Sequence, residues 1–304
     1  MAKNKRKRSF HDISKKSDII ITVFFGLFSL MCIVPFITVI MSSITDEAVL
    51  RVNGYSLFPA KFDFAAYEYI FKTGTQIIKS FGVSVFITVV GTIISVTVTA
   101  FYAYALSRKC FKYKGFFNYM AFFTMLFGGG LVPTYLVVTR VVKLQNTIWA
   151  LILPLTVNAF YVIVMRTFFR TSVPDSIIEA SQIDGSGEFR TFFKIILPIS
   201  LPSVASIALF TTLGYWNDWF NALLYIDSAQ VTPIQYLLMK IEKQMEFLIQ
   251  NANEMGMSRQ EVNKLPSETL RMAIVVISTI PIACAYPFFQ KYFIQGLTVG
   301  SVKG

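Results

Sequence analysis

The chain has 304 residues, of which 54% are apolar and only 15% are charged, and its formal net charge is +11. Soluble domains carry about 25% charged residues, so this composition cannot provide the polar surface of a soluble protein. The three cysteines, Cys32, Cys110 and Cys284, show no paired spacing, and His11 is the single histidine. This inventory argues against a metal site, a disulfide framework and histidine-dependent catalysis within a membrane.

The first apolar run covers residues 19–41 and follows a basic segment, residues 1–18, that contains seven Lys or Arg residues. A signal peptide has the same order, but its apolar core is only ~7–15 residues long and ends at a small-residue cleavage site. This run is longer and lacks such a site. We therefore predict a retained transmembrane helix, followed by an outer loop that ends near residue 80.

Five further apolar runs are long enough to cross a bilayer. They cover residues 82–107, 116–139, 147–168, 197–226 and 271–291. Prolines inside the runs predict kinks, namely Pro133, Pro154, Pro281 and Pro287. Because Pro198 and Pro202 lie at the start of the fifth run, its straight part should begin near Leu201. The fold class is therefore an all-α integral membrane protein with six transmembrane helices.

The basic residues set the orientation, because cytoplasmic loops carry an excess of Lys and Arg. With the N-terminus inside, most basic residues fall in the inner segments, which are residues 1–18, 108–114, 166–194 and the C-terminal end. The outer loops are close to neutral. We therefore predict a plasma-membrane protein with both termini in the cytoplasm. Positive charge beside membrane-entry points also argues against nucleic-acid binding, because anionic lipid accounts for it.

The predicted outer loop at residues 227–270 contains an amphipathic helix. Its apolar positions recur at helical spacing, at Leu237, Leu238, Ile241, Met245 and Leu248. We expect this helix either to lie on the membrane surface or to present a face to a partner.

The loop between the fourth and fifth helices, residues 172–196, is longer than a simple connection needs. Pro174 suits the first turn of a helix, and Asp175 and Glu179 would lie near the positive end of its dipole. Gly185 provides the left-handed conformation that ends such a helix, and a second short helix should begin near Gly187. We predict a helix–turn–helix that forms a docking surface for another protein.

This loop resembles the EAA motif of ABC importer permeases, E-A-A-x3-G-x9-I-x-L-P. The matching residues are Glu179, Ala180, Ser181, Gly185, Ile195, Leu197 and Pro198, and the one departure is Ser181 in place of the second alanine. In that family the loop is a coupling helix that sits in a groove of a separate ATPase subunit. The resemblance implies the type I ABC importer permease fold and a contact with the ATPase through these residues and Asp184.

The chain contains no G-x4-G-K-[ST] phosphate loop. We therefore expect it to have no catalytic, cofactor-binding or metal-binding residues of its own, with ATP and Mg bound by the partner ATPase. The resemblance further implies a second, related permease subunit, two ATPase subunits and an extracytoplasmic sugar-binding protein or lipoprotein. It also implies the bacterial plasma membrane as the location.

Three stretches resemble the sugar-importing, maltose-type branch, and they are KLQNTIWALILP (143–154), YWNDWFNALLY (215–225) and GLTVGSVKG (296–304). FGGGLVPTYL (127–136) is similar to the oligosaccharide permeases that are often labelled lipoprotein-type. The resemblance implies a permease core at residues 81–293, a receptor contact through the outer loop, and a cytoplasmic tail at residues 294–304. In that tail the residues expected to reach the ATPase are Ser301, Val302, Lys303 and Gly304.

The fifth helix carries aromatic and polar side chains of the kinds that hold sugars, at Trp216, Asn217, Asp218, Trp219 and Asn221. Asn217 and Asn221 are four residues apart, so we expect them to share a face of this helix. The alternative is an aromatic anchor at the membrane interface or a subunit contact. Asn158 and Tyr161 on the fourth helix fit either an interhelical hydrogen bond or a cavity. Gly128, Gly129 and Gly130 fit close packing or a helix break better than a ligand site.

The sequence therefore predicts the permease subunit of an ATP-driven importer for a sugar, specifically an oligosaccharide. One alternative is a permease of the same family for a peptide, an amino acid or another polar solute. Another is an ion-coupled secondary transporter, which needs several intramembrane ionisable residues or inverted repeats. Asp218 is the only acidic residue within a predicted span, and no repeat is visible. A membrane-embedded enzyme has no candidate catalytic cluster.

Overall fold

The computed structural model describes residues 15–72, 75–252, 254, 256 and 266–301. These residues form helices and turns, and the strand-like pairing among them is a single bridge between Thr45 and Phe62. The chain divides into two compact units. The first combines the residues up to Tyr69 with Leu248–Val276, and the second combines Ile70–Phe247 with the residues from Ile277 onward.

The first unit contains three helices in its N-terminal part, which are α1 (Lys15–Ser43), α2 (Glu47–Asn53) and the start of α3 (Ala65–Phe71). Helix α1 covers the predicted first span and extends it at both ends. Its apolar side chains are exposed along most of its length, with Met31 at 74%. An apolar helix without a packed face suits a lipid or protein surface rather than water.

The buried carboxylate of Glu47, which is 7% exposed, joins α2 to the start of a long C-terminal helix, α15 (Glu268–Ser301). The backbone amides of Glu268 and Thr269 donate to it at 3.1 and 3.0 Å, and the hydroxyls of Ser267 and Thr269 donate at 2.9 and 2.8 Å. Burial raises the pKa of Glu47, but the hydrogen bonds outweigh burial and hold the pKa below its ordinary value. Glu47 therefore satisfies the free amides at the N-terminus of α15.

The second unit is built around α4 (Thr75–Ser107), an unbroken helix that packs mainly against α8 and α12. Its other helices are α5 (Lys114–Leu126), α6 (Leu131–Leu136), α7 (Trp149–Ile152), α8 (Ala159–Ser172), α9 (Asp175–Ile183), α10 (Glu188–Thr191), α11 (Leu197–Ile199), α12 (Leu201–Trp216), α13 (Phe220–Tyr225) and α14 (Ile234–Gln250). Two π-helical turns, Val137–Val141 and Phe192–Ile196, and two 3-10 turns, Leu153–Leu155 and Ala229–Val231, extend or connect them.

Three of the six predicted spans are broken rather than continuous. The chain bends by 118° between α5 and α6, by 51° between the α7 segment and α8, and by 81° before α12. Within the described residues, α1, α4 and the Glu268–Pro287 part of α15 are each long and apolar enough to cross a membrane. If each bent pair counts as one span, the total reaches six.

The breaks have local causes that proline alone does not predict. In the third span the chain reverses at the glycines before α6, where Gly130 has a φ of 83°, so the break expected of these glycines is confirmed. Pro133 lies in the first turn of α6 and produces no kink, which corrects that prediction. Pro154 lies in the 3-10 turn that precedes the second break. The straight part of the fifth span begins at Leu201, as predicted.

At the break between α7 and α8, side-chain hydroxyls bind the backbone carbonyl of Ile152. The oxygen of Ile152 accepts hydrogen bonds from the hydroxyls of Tyr215 and Thr156, both at 2.9 Å. Tyr215 reaches this carbonyl by lying directly against Gly91 of α4. A Cβ atom at residue 91 would be 2.7 Å from the Tyr215 ring. The close contact of α4 and α12 therefore requires glycine at this position.

The predicted amphipathic helix exists as α14, and its apolar side chains point into the chain. Leu237, Leu238, Ile241 and Met245 are buried within the chain, and Leu248 is half-buried. The apolar face therefore packs inside the protein and is not available to the membrane or to a partner.

We predict that Gly91→Ala destabilises the protein by roughly 1–3 kcal/mol, because the Tyr215 ring must shift to accommodate the new methyl group. The control is Gly82→Ala in the same helix, where a Cβ atom meets nothing within 4 Å. Alanine there should stabilise the helix by about 0.5–1 kcal/mol. Thermal unfolding of the purified protein in detergent measures both changes, and equal shifts would contradict the close contact.

We also predict that the Glu47 contact weakens at low pH. Its lowered pKa stabilises the folded state above the ordinary value of 4.5, and this stabilisation is lost as the pH falls through the lower folded-state pKa. Glu47→Gln should remove this pH dependence and raise amide hydrogen exchange at Glu268 and Thr269 about tenfold, as expected for weakened hydrogen bonds. The control is Glu68→Gln at an exposed position of α3, which should leave both amides protected.

Candidate functional site

The EAA loop, residues 172–196, is a helix–turn–helix, as predicted. Helix α9 begins one residue after Pro174, and Gly185 follows its C-terminus with a φ of 73°. The amide of Gly185 donates to the carbonyl of Gln182 at 3.0 Å, and the amide of Ser186 donates to that of Ser181 at 2.9 Å. These two bonds form a Schellman motif, which explains why the turn requires glycine at residue 185.

Helix α9 has an exposed face that includes an apolar stripe. Ile183 is 87% exposed and Ile177 is 41% exposed, and Ala180 is exposed between them. These three residues, three apart along the helix, form what we call the docking stripe. Glu179 and Asp184 are exposed as well. Exposed apolar side chains on a charged loop outside the spans are typical of a protein–protein contact.

The opposite face of α9 is attached to the rest of the unit. Ile178 is buried in a core cluster with side chains of α4 and α8, including Ala103 and Phe169. Burying one such side chain contributes roughly 2 kcal/mol. Ser181 is 6% exposed, and its hydroxyl donates to the carbonyl of Ile178 at 2.8 Å. The small residue at this motif position therefore serves packing within the chain, which corrects its expected place in the docking surface.

The last part of the motif leads into the fifth span. Ile195 and Leu197 are half-buried, and Pro198 is exposed. Ile196 occupies the variable position between Ile195 and Leu197, and its side chain is fully buried. Leu197 packs against the core cluster that contains Ile178. The motif thus continues from the docking stripe directly into the packed base of the bundle.

A charged contact that the sequence analysis missed also attaches the loop to α4. Arg108, directly after α4, binds both carboxylate oxygens of Glu188, with its Nε and Nη2 atoms each at 3.0 Å. The Tyr104 hydroxyl donates to the same carboxylate, and the Gln182 amide donates to it at 3.5 Å. The two charged partners are 80 residues apart in the chain, so no local sequence pattern could have indicated the pair.

A second ion pair lies nearby, between Lys109 and Asp175 at 2.5 Å. The Lys109 ammonium holds the pKa of the Asp175 carboxyl below its ordinary value. Both side chains are largely exposed, at 75% and 58%, so this pair contributes little to stability. A cleft of about 200 Å³ beside it is lined by these two residues, Arg170, Glu179 and others.

The predicted sugar-binding residues of the fifth span do not lie on one helix. Helix α12 ends at Trp216 and α13 begins at Phe220, so the expectation that Asn217 and Asn221 share a helical face is wrong. Asp218 lies in the break, where its Oδ1 accepts from the amide of Asn221 at 3.1 Å and its Oδ2 accepts from the side chain at 2.9 Å. These bonds stabilise the start of α13.

The two tryptophans differ in exposure. Trp216 is buried, its Nε1 donates to the carbonyl of Ser278 at 2.9 Å, and its ring contacts Phe81 edge-on. Trp219 is 43% exposed, and Asn217 beside it is exposed. Trp216 therefore serves packing, whereas Trp219 is accessible to a solute or a partner. The exposed Asn217 side chain donates to the carbonyl of Leu213 at 3.0 Å and accepts from Gln235 at 3.5 Å.

The predicted residues of the fourth span also lie at a break. Asn158 precedes α8, and its Oδ1 accepts from the amides of Phe160 and Tyr161 at 2.9 and 3.4 Å. It therefore caps a helix, a role that neither alternative predicted. Tyr161 is half-buried and packs against the core cluster below the EAA loop. The C-terminal helix α15 extends to Ser301, and Val302, Lys303 and Gly304 lie outside the described residues.

The end of α13 and the residues after it are connected to the loop that precedes α7. Asn146, with a φ of 58°, donates from its amide to the carbonyl of Tyr225 at 2.9 Å. Its side-chain oxygen accepts from the amides of Asp227 and Ser228 at 2.6 and 3.1 Å. Asn146 lies in the stretch 143–154 that resembles sugar permeases. Its hydrogen bonds join the loop before α7 to the residues at the end of α13.

Comparison with known proteins identifies the family. Residues 112–299 match the model of the binding-protein-dependent transport system inner membrane component. The polygalacturonan/rhamnogalacturonan transport system permease protein YtcP of Bacillus subtilis (strain 168) is 41% identical over 94% of this chain and 98% of its own length. Protein LplC of the same organism is 39% identical over 94% of this chain and 95% of its own length.

Among solved structures, a bacterial ABC transporter involved in the import of the acidic polysaccharide alginate matches with a TM-score of 0.74 and 27% identity. The match covers 94% of this chain and all of the matched chain. The family match, these two permeases and the shared fold agree with the EAA loop described above. The chain belongs to the family of binding-protein-dependent transport system inner membrane components.

Proposed function

We propose that the chain is one of two permease subunits of an ATP-driven importer for an oligosaccharide. It would form half of the translocation pathway and receive movement from an ATPase subunit through the EAA loop. The observation that carries this proposal is the two-sided geometry of α9. The docking stripe is exposed on one face, while Ile178 and Ser181 attach the other face to the bundle.

The topology that fits this function has six spans and both termini in the cytoplasm, as in type I importers. It is supported by three unbroken apolar helices and three bent helix pairs. The basic residues support the orientation, because Arg108, Lys109 and Arg170 would all lie on the cytoplasmic side with the EAA loop.

The partners that this function requires are a second permease subunit, two ATPase subunits and an extracytoplasmic sugar-binding protein. ATP and Mg would bind to the ATPase subunits. Residues 301–304 would extend from α15 toward them. The predicted receptor contact through residues 227–270 stays a prediction, and the buried face of α14 leaves the polar face of that helix to make it.

The substrate class follows from the relatives. Their names include polygalacturonan, rhamnogalacturonan and, at 28% identity, arabinooligosaccharides. In this chain the exposed Trp219 and Asn217 supply an aromatic face and an amide, which are the groups that bind sugars. The alternative within the family is a permease for another polar solute, such as a peptide or an amino acid.

The docking stripe provides the first test. We predict that a cysteine in place of Ala180 or Ile183 forms a cross-link, through a short bifunctional reagent, to an ATP-binding polypeptide in intact cells. The variants should be made in a chain whose three native cysteines are replaced by serine, because all three are exposed. The cross-linked product is identified by mass spectrometry.

The matched control for this experiment is Ser181→Cys, one position away on the buried face of α9. It should give little product, because the reagent cannot reach it. If Ala180 and Ile183 capture no ATP-binding polypeptide, the proposed importer function is wrong.

The substrate class has a separate test. The tagged chain is purified with its partners, and the associated receptor is screened by thermal shift against oligogalacturonates, neutral oligosaccharides and peptides. We predict that an oligosaccharide raises the melting temperature, since a ligand at 100 times its Kd stabilises the bound state by about 2.7 kcal/mol. Stabilisation by peptides alone would replace the sugar assignment with the alternative.

A further inference from the structure

The ion pair between Arg108 and Glu188 fixes the direction of the EAA loop relative to α4. A guanidinium that binds both oxygens of a carboxylate constrains the angle between the two groups as well as their distance. The Arg108 side chain is 10% exposed and that of Glu188 is 46% exposed, so water and salt reach this pair mainly from the Glu188 side. Apolar packing around Ile178 resists separation of the loop from α4 but does not fix an angle.

The neighbouring pair of Lys109 and Asp175 joins almost the same two segments but differs in its surroundings. It has a single contact between flexible, exposed side chains. Such a pair transmits little force, because each side chain can rotate away at small cost. The two pairs therefore allow a comparison between a bidentate contact with a buried arginine and a single contact between two exposed side chains.

Helix α4 is suited to carry movement away from Arg108. It has 33 residues without a proline or a break, which corresponds to a length of about 50 Å. It packs against α8 and α12 along the bundle. A continuous helix keeps its backbone hydrogen bonds when it shifts as a body, so displacement at one end appears at the other.

The N-terminal part of α4 is bonded to residues 229–234, which lead into α14. The side chain of Gln76 donates to the carbonyl of Ala229 at 2.7 Å. The hydroxyl of Ser84 accepts from the amide of Ile234 at 2.7 Å. Both ends of α4 are thus held by specific polar contacts, the EAA loop at one end and residues 229–234 at the other.

We propose that the Arg108–Glu188 pair makes α4 follow the EAA loop, and that α4 passes this displacement to residues 229–234 at its opposite end. The inference rests on the proposed function, since it assumes that an ATPase moves the loop. Arg108 and Glu188 are positioning residues that act through α4.

The test uses the full transporter, purified with its ATPase subunits and placed in liposomes. An environment-sensitive fluorophore at Gln230→Cys, which is exposed in the 3-10 turn, reports movement of the far segment after addition of ATP and vanadate. Glu188→Arg and Arg108→Glu should each reduce this signal about tenfold, the factor expected for loss of a charge-assisted hydrogen bond. The double variant should restore it, because the exchanged charges attract again.

The matched control is the exposed pair. Lys109→Asp and Asp175→Lys should leave the fluorescence signal unchanged, because their contact does not fix the loop. All variants are first compared for co-purification with the ATPase subunits and for ATP hydrolysis.

The inference is overturned if the single reversals retain the full signal, if the double variant is no better than the single ones, or if signal is lost only together with assembly. The last result would mean that the Arg108–Glu188 pair is needed for folding or assembly and not for transmitting movement. If the unmodified chain does not co-purify with an ATPase, the proposed function itself fails. If it assembles and hydrolyses ATP without any signal at residue 230, the inference alone fails.

Discussion

A loop can move a helix bundle only if it cannot slide over the helices that it joins. In this chain two contacts of different kinds meet that condition. Ile178 is buried among side chains of α4 and α8, and Arg108 binds both oxygens of Glu188. Packing holds the loop against the bundle, while the bidentate pair fixes its direction. Because Ile178 lies on the buried face of α9 and Glu188 lies on α10, the docking stripe on the other face of α9 stays available to a partner.

The same bundle contains helix breaks inside apolar spans, where unpaired backbone groups are costly. The break before α8 and the break between α12 and α13 have local solutions. Tyr215 and Thr156 satisfy the carbonyl of Ile152, and Asn158 and Asp218 accept from the first amides of the helices that follow them. Residues that look like substrate contacts in the sequence therefore serve the backbone. The breaks leave α4 as the continuous helix of the second unit's core.

The sequence predicted the features that depend on neighbouring residues. The Gly185 turn follows from the left-handed conformation that glycine permits, and the break at the glycines before α6 follows from the same property. It did not predict the end of α12 at Trp216, because the apolar pattern continues through the break. The Arg108–Glu188 pair joins segments 80 residues apart in the chain, which no local sequence pattern encodes.

The central claim is that the EAA loop and α4 move as one body when nucleotide binds. The most direct measurement is a set of spin-label distances in the assembled transporter, between Asp184, Lys79 near the far end of α4, and a site on the second permease subunit. The account predicts that ATP with vanadate changes the distances from Asp184 and Lys79 to the second subunit together, while the distance between Asp184 and Lys79 is unchanged. Movement of Asp184 without movement of Lys79 would contradict it.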